Sequence, residues 1–359
     1  MESRINFVEC LETDVVLSIL KFLDDPSDII RATSVSRSWH HFVIANSICK
    51  NLWLKKVPSF YYVDHVVEEK RGQNICMYVI PMNPINWEIL EMEHNIYSTL
   101  LQALAKPVIA RKECVSYVVG ASSTDTTTVQ NIVNVLSPTD RYDWGHSYWS
   151  SKGQSDPNMP ESILFKLNAD VCVVSEIGIR PFKVSWEPGS PVYSANSVRF
   201  RMGHPRSIAQ LEFGNCLQPF QFNADDYVWT YTSPKFVMTQ ESCIQVFEFP
   251  QPAVCVGGYL LIELFGRTNR QETDGLFYIR LGYIRVLGDP LPPVFLLKMD
   301  ASGNLVLKYS PNTLESFLRN PFVDKVQTVH QPEDDTMSSP RLQALLPRFL
   351  DDFDEDENE

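Results

Sequence analysis

Between Leu11 and Leu23 the chain places Leu11, Val15, Val16, Leu17, Ile19, Leu20, Phe22 and Leu23, so a helix written over this stretch is apolar nearly all round. A surface helix needs one apolar stripe at i, i+3, i+4 and i+7. The next segment, Asp28 to Asn46, adds Ile29, Ile30, Val35, Trp39, Phe42, Val43 and Ile44, and Leu52-Trp53 closes the unit. Three short helices cannot cover that many apolar side chains among themselves, and a unit of about 50 residues is marginal alone. Part of this surface must meet another chain or the rest of this one. The pattern reads as a docking module; the same residues would also suit the core of a larger helical domain.

The order Leu11-Glu12-x-Asp14-Val15-Val16-x-x-Ile19-Leu20-x-Phe22-Leu23, then Asp28-Ile29, then Val35-Ser36-Arg37-x-Trp39, then Leu52-Trp53 resembles an F-box. In that family the motif attaches substrate receptors to the Skp-type adaptor of a cullin–RING ubiquitin ligase. The resemblance implies adaptor-binding roles for Leu11, Val15, Val16, Ile19, Leu23, Val35, Trp39 and Trp53. The family pattern opens Leu-Pro, whereas this chain has Glu12 at the second position. Asp14 offers a cap for the first turn and Glu12 adds negative charge near a helix N-terminus, so helix initiation survives the substitution.

Charge narrows the partners. The 359 residues carry a formal net charge of −13. Residues 331–359 hold ten acids against Arg341 and Arg348 and account for −8 of it. No basic footprint for a phosphate backbone exists, so nucleic acid is not an expected partner. Low hydrophobicity and like charge predict a disordered tail over 331–359, although Leu342, Leu345, Leu346, Phe349, Leu350 and Phe353 interrupt the acids. The eight cysteines are scattered without a C-x-x-C pair, which argues against a disulfide scaffold or a zinc site. There is no secretory h-region and no apolar run long enough to span a bilayer. A soluble intracellular protein of cytoplasm or nucleus is expected, with no membrane partner.

After the helical unit, Trp87, Leu90, His94, Tyr97, Leu101 and Leu104 recur at steps of three and four and predict an amphipathic helix ending near Pro107. Glu91-x-x-His94 has the spacing of a di-iron ligand pair, but without further acidic contributors it reads as a surface ion pair. The period then changes. Ser162–Leu167, Val171–Ile179, Pro191–Met202, Cys243–Phe249, Gly258–Phe265 and Phe277–Leu287 read as short strands with turn-rich pieces between them, which argues for an antiparallel β-sandwich or jelly roll. Asp143-Trp144, Tyr148-Trp149-Ser150-Ser151-x-Gly153, Ile177-x-Ile179-x-Pro181-Phe182 and Ile262-Glu263-Leu264-x-Gly266-Arg267 look like a discoidin-type, galactose-binding-like sandwich. Such folds bind partners through end loops. The candidates are 122–128, 141–153 and 223–232, with Tyr142, Trp144, Trp149, Tyr227 and Trp229 as substrate-binding residues unless these aromatics plug the core. Gly266-Arg267-x-x-Arg270 reads as a polar turn.

No nucleophile elbow, P-loop, dinucleotide fingerprint or His-Glu-x-x-His occurs, so neither catalysis, cofactor nor metal is expected of this chain. The fold class is α+β and multidomain. It comprises an F-box over 7–56, a helical spacer over 57–114, a galactose-binding-like sandwich over 115–290, an extension over 291–330 and the acidic tail. The resemblance, to plant-type F-box proteins with such a sandwich, implies a non-catalytic substrate receptor that holds a Skp-type adaptor, through it a cullin, and a protein target that is glycosylated or bare. The alternative is an intracellular glycan-binding protein whose helices are structural.

Overall fold

The structure is a computed structural model and describes residues 6–69, 87–105, 111–125, 130–139, 141–142, 145–207, 222–300 and 302–311. The expected acidic tail and half of the 291–330 extension lie outside these residues. The chain opens with α1 (Phe7–Cys10), α2 (Thr13–Lys21), α3 (Pro26–Thr33), α4 (Arg37–Ala45) and α5 (Ile48–Lys56). Two caps divide the apolar segment 28–46 between two helices. Asp25 accepts the Ser27 amide and Pro26 takes the first turn of α3, while the Ser36 hydroxyl accepts the Trp39 amide and starts α4 afresh. The cap expected from Asp14 is corrected: Glu12 is the cap residue of α2 and makes no side-chain bond, and Asp14 lies within the first turn. There its charge still favours the helix N-terminus.

A 3-10 turn (Pro58–Tyr62) leads to β1 (Val63–Glu68), and α6 (Trp87–Ala105) follows as its periodicity predicts. The strands that follow are β2 (Lys112–Glu113), β3 (Val115–Ala121), β4 (Arg141–Tyr142), β5 (Gly145–His146), β6 (Trp149–Ser150), β7 (Glu161–Leu167), β8 (Val171–Pro181) and β9 (Ala195–Pro205), of which β4 and β5 form a separate two-stranded sheet. They continue with β10 (Tyr227–Thr232), β11 (Phe236–Val237), β12 (Gln245–Val256), β13 (Tyr259–Arg267) and β14 (Arg280–Pro290), before β15 (Phe295–Met299) and β16 (Leu305–Tyr309). One antiparallel sheet runs β10-β9-β13-β7-β3 with β11 also on β9; the facing sheet runs β12-β8-β14-β2 with β6 on β14. This is the antiparallel sandwich that the strand pattern leads one to expect, with β2 joining it from before Val115.

Alternation along the strands fills the space between the sheets. Leu260, Ile262 and Leu264 on β13 and Phe165 on β7 meet Ile177 and Ile179 on β8 and Val286 on β14, all fully buried. The edge strand β12 shifts register between Glu248 and Ala253, where Pro250 and Pro252 lack the N–H groups a neighbouring chain would need. That blunts the edge against self-association.

A second core joins the helices to one end of this sandwich. Trp53, Ile96, Leu100 and Leu101 pack with Phe60, with Val171 and Val256 at the sandwich end, and with Leu305 and Leu307 on β16. The Ser59 hydroxyl donates to the Val254 carbonyl at 3.3 Å. The segment expected as a helical spacer therefore also contains a strand. β1 pairs parallel with β16, which pairs antiparallel with β15, so the extension after the sandwich returns to the helical module. His94 lies in this region, buried with its Nδ1 unpartnered and its ring 5.7 Å from His40, rather than in the surface ion pair the sequence suggests.

Two expectations follow from this packing. Leu307→Ala removes a side chain buried from both the helices and the sandwich, and should cost about 2–5 kcal/mol. Circular dichroism and tryptophan fluorescence should then melt together at a lower temperature, since a separately folding helical module would keep its own transition. Burial pulls the His94 pKa down from 6.5 to about 4. The folded state thus binds fewer protons than the unfolded chain between these values, and stability falls as pH drops from about 6.5 to about 4. Melting temperatures across that window should show a shallower fall for His94→Phe than for the parent.

Candidate docking face and distal loop site

The apolar excess of α2 divides into two stripes. Val16 and Leu20 point inward and are buried, whereas Leu11, Val15, Ile19 and Phe22, spaced four, four and three residues apart, line the opposite face. Leu11, Val15 and Ile19 are each more than 40 % exposed, Phe22 is 85 % exposed, and Val35 in the bend between α3 and α4 is 62 % exposed. Beside this face a cavity of about 280 Å³ is lined by Leu17, Leu20, Leu23, Ile29, Ile48 and Leu52, with Lys21, Asn51 and Lys55. Of the expected adaptor-binding residues, Leu11, Val15, Ile19 and Val35 are exposed, Leu23 lines the cavity and Trp39 is half-buried. Val16 and Trp53 are corrected to core: both are fully covered by this chain, so neither offers surface to a partner. Phe22 joins the face. Its signal was its place on the outward stripe.

The aromatic loop candidates do not form one site. Tyr227 pairs with Pro205 at the end of β9 beside the helical module, while Trp149 pairs with Leu281 at the start of β14, at the other end. An eleven-residue strand such as β9 separates those ends by roughly 33 Å. Trp149 is a core residue, fully buried with its indole N–H on the Thr124 hydroxyl at 3.2 Å. Tyr227 is also buried, and burial pushes its pKa up to about 12. Trp229 stacks on Tyr227 at 5.4 Å and donates to the Ala224 carbonyl at 3.1 Å. As exposed binding residues, Trp149 and Tyr227 are corrected, because both fill apolar clusters. Tyr142 lies on the short strand β4, and Trp144 falls outside the described residues.

What the distal end exposes instead is Trp186. It is 52 % exposed and lies 4.7 Å from the His146 ring, with Phe182 and Tyr148 stacked at 4.1 Å behind them. The loop that carries Trp186 is anchored by Glu187, which accepts from Arg280 at 3.1 Å and from the Tyr193 hydroxyl. The Arg280 guanidinium lies 4.2 Å over the Tyr193 ring. The signal for Trp186 was the turn Glu187-Pro188-Gly189-Ser190 directly after it, where Gly189 takes a φ of 75°.

Behind these loops sits a buried ion pair. The Arg267 side chain has no exposed surface; it donates to Glu161 Oε1 at 2.5 Å, to the Ser151 hydroxyl at 2.8 Å and to the carbonyls of Met159, Lys152 and Phe277. Glu161 also accepts from Ser122 and Ser123. One guanidinium thus ties three loops together, which corrects the reading of Gly266-Arg267-x-x-Arg270 as a polar turn. Among the described residues no group of three or more His, Cys, Asp or Glu is placed to hold a metal ion. No described helix is long and apolar enough to cross a membrane.

The description of F-box-like domains matches residues 13–55, the stretch that presents the outward stripe. F-box protein At4g00755 of Arabidopsis thaliana is 40% identical over 311 residues, covering 84% of this chain and 81% of that protein. The chain belongs to the F-box proteins. Members of this family generally act as non-catalytic substrate receptors of SCF ligases, and their F-box domains typically bind Skp1-type adaptors. Among solved structures, chitosan-binding module 1 of a chitosanase/glucanase from Paenibacillus sp. IK-5 is 12% identical, with a TM-score of 0.32 over 49% of this chain and 97% of that one. A module, CBM32-3, of a family 31 glycoside hydrolase from Clostridium perfringens is 12% identical, with a TM-score of 0.31 over 48% of this chain and 90% of its own.

In this F-box protein the Arg267–Glu161 pair is the support of the distal loops. Removing one partner of a buried pair leaves the other charge uncompensated, at a cost of about 3–5 kcal/mol. Urea denaturation of Arg267→Ala should show a loss of that size, and Glu161→Gln a smaller one because its amide oxygen still accepts.

Proposed function

We propose that this F-box protein is a substrate receptor of an SCF-type cullin–RING ubiquitin ligase. Leu11, Val15, Ile19, Phe22 and Val35, bordered by Leu23 and Trp39, take a Skp-type adaptor and through it a cullin. The distal end of the sandwich, with Trp186 at its tip, takes the target. The observation that supports the adaptor reading most directly is the outward stripe of α2, apolar surface left uncovered within the matched motif. Full burial of an exposed apolar side chain is worth roughly 1.5–3 kcal/mol, and Leu11, Val15 and Ile19, already more than half covered, would each gain less than half of that. The target reading rests on exposure: Trp229 packs with Tyr227 and Tyr259 in a cluster of this chain, whereas Trp186 at the distal end is half exposed. In this role the chain contributes proximity, holding a target near the charged ubiquitin carrier at high effective concentration. Such a role places the chain inside the cell.

The exposed indole of Trp186 also supports a second reading, glycan recognition, because a sugar ring stacks on such a face. Co-purification of the full chain from an extract separates the two. Ile19→Asp with Phe22→Ala should reduce Skp-type adaptor capture at least about a hundredfold, since interface anchors are worth ~2 kcal/mol or more each. Trp186→Ala should keep adaptor and cullin and lose the target protein. Adaptor capture by the first variant equal to the parent ends the receptor reading. Retention on defined glycans with no adaptor in the eluate favours the second.

A further inference from the structure

We infer that the adaptor-docking face extends beyond the matched motif into residues 6–11, where α1 braces Trp39 and Asn6 and Phe7 act as positioning residues. This rests on the docking reading above. The family match starts at Thr13, so α1 is not part of it. None of the four residues of α1 is fully buried; Phe7 and Val8 are half-buried against the helical core, and that partial packing alone does not fix how α1 meets α4.

Directed contacts do. The Asn6 side-chain carbonyl accepts the Trp39 indole N–H at 3.0 Å, and its amide nitrogen donates to the Ser38 hydroxyl at 2.8 Å and to Glu9 at 2.9 Å. The Phe7 ring meets the Trp39 ring edge-on at 4.7 Å and 83°. At its other end α1 runs straight into the outward stripe, the Leu11 amide donating to the Phe7 carbonyl at 2.9 Å. A single turn of helix therefore links the first residue of the α2 stripe to the first turn of α4, next to exposed Val35. Two halves of one apolar face, carried by separate helices, are held in register by a clasp of one amide and one ring.

The consequence is preorganisation. With its N–H satisfied and one edge against Phe7, the Trp39 ring has one orientation before the adaptor arrives, and the ordering cost of binding is reduced. A clasp that only stabilised the fold would act on melting temperature. One that positions Trp39 acts on affinity beyond what the loss of the partial Phe7 packing costs in stability.

The test measures binding of the full chain to a purified Skp-type adaptor by calorimetry, alongside the melting temperature. Asn6→Ala with Phe7→Ala should weaken binding about tenfold, on the scale of one hydrogen bond and one aromatic contact, with the melting temperature lowered only slightly by the loss of the half-buried Phe7 ring. Asn6→Ala with Phe7→Tyr, which returns a ring to Trp39, should recover part of the loss. Parent affinity in the double alanine variant overturns the inference while leaving the docking reading standing, provided Ile19→Asp loses binding. Parent affinity in Ile19→Asp as well overturns both. A loss of affinity that tracks a drop of several degrees, with no recovery from the tyrosine, makes α1 a structural element and also overturns the inference.

Discussion

The rest of the molecule depends on the apolar core shared between the helices and one end of the sandwich. Trp53 and Phe60 pack edge to face at 5.3 Å, and around them close α6, the ends of β8 and β12, and β16. Because Val171 and Val256 belong to this cluster, the helical module is not tethered to the sandwich but built onto it. Two consequences follow from the same contacts. The proximal ends of β8 and β12 are spent on internal packing, and the outward stripe of α2 has a set orientation relative to the distal loops. The parallel pairing of β1 with β16 locks the arrangement from both ends of the chain, Val63 lying opposite Leu305.

What could be read from the residues alone was whatever rests on local periodicity. The excess of apolar positions on α2, the amphipathic α6 and the alternation of β13 each declare themselves within a few turns or pleats. Which of α2's stripes faces inward does not, because Val15 and Val16 are equally apolar and only the packing partner decides between them. The pairing of β1 and β16 was invisible for another reason. Val63-Asp64-His65-Val66-Val67 is a weak strand signal, and its partner lies 242 residues further along the chain, Val63 opposite Leu305.

The site was harder to read than the fold because its parts are joined by topology. The aromatics of 141–153 and 223–232 look alike as composition, yet antiparallel strands carry them to opposite ends of the sandwich. Arg267 offered no local sign of burial. Arginine is ordinarily a surface residue, and the carboxylate that makes its burial tolerable, Glu161, comes from the far end of another strand. Trp186 was legible only through its neighbours, since a large aromatic just before a Pro-Gly turn has little sandwich interior to enter.

An exposed apolar stripe on a freestanding protein invites aggregation, and this molecule limits the hazard by how the stripe is bounded. Exposed Glu12, Asp14 and Lys21 flank the α2 residues, and Lys55 pairs with Asp24 at 2.8 Å near the adjoining cavity. Charges at a rim contribute little to affinity but penalise partners that cannot match them. The long edge strand β12 is blunted by prolines in the same spirit. The apolar surface that α2 leaves open is therefore a selective one. A rigid core behind it means that a partner seated there would meet the sandwich in one orientation, with the distal loops directed away from it. Rigid attachment through a shared core sets orientation as well as distance, whereas a flexible linker would set only an average separation.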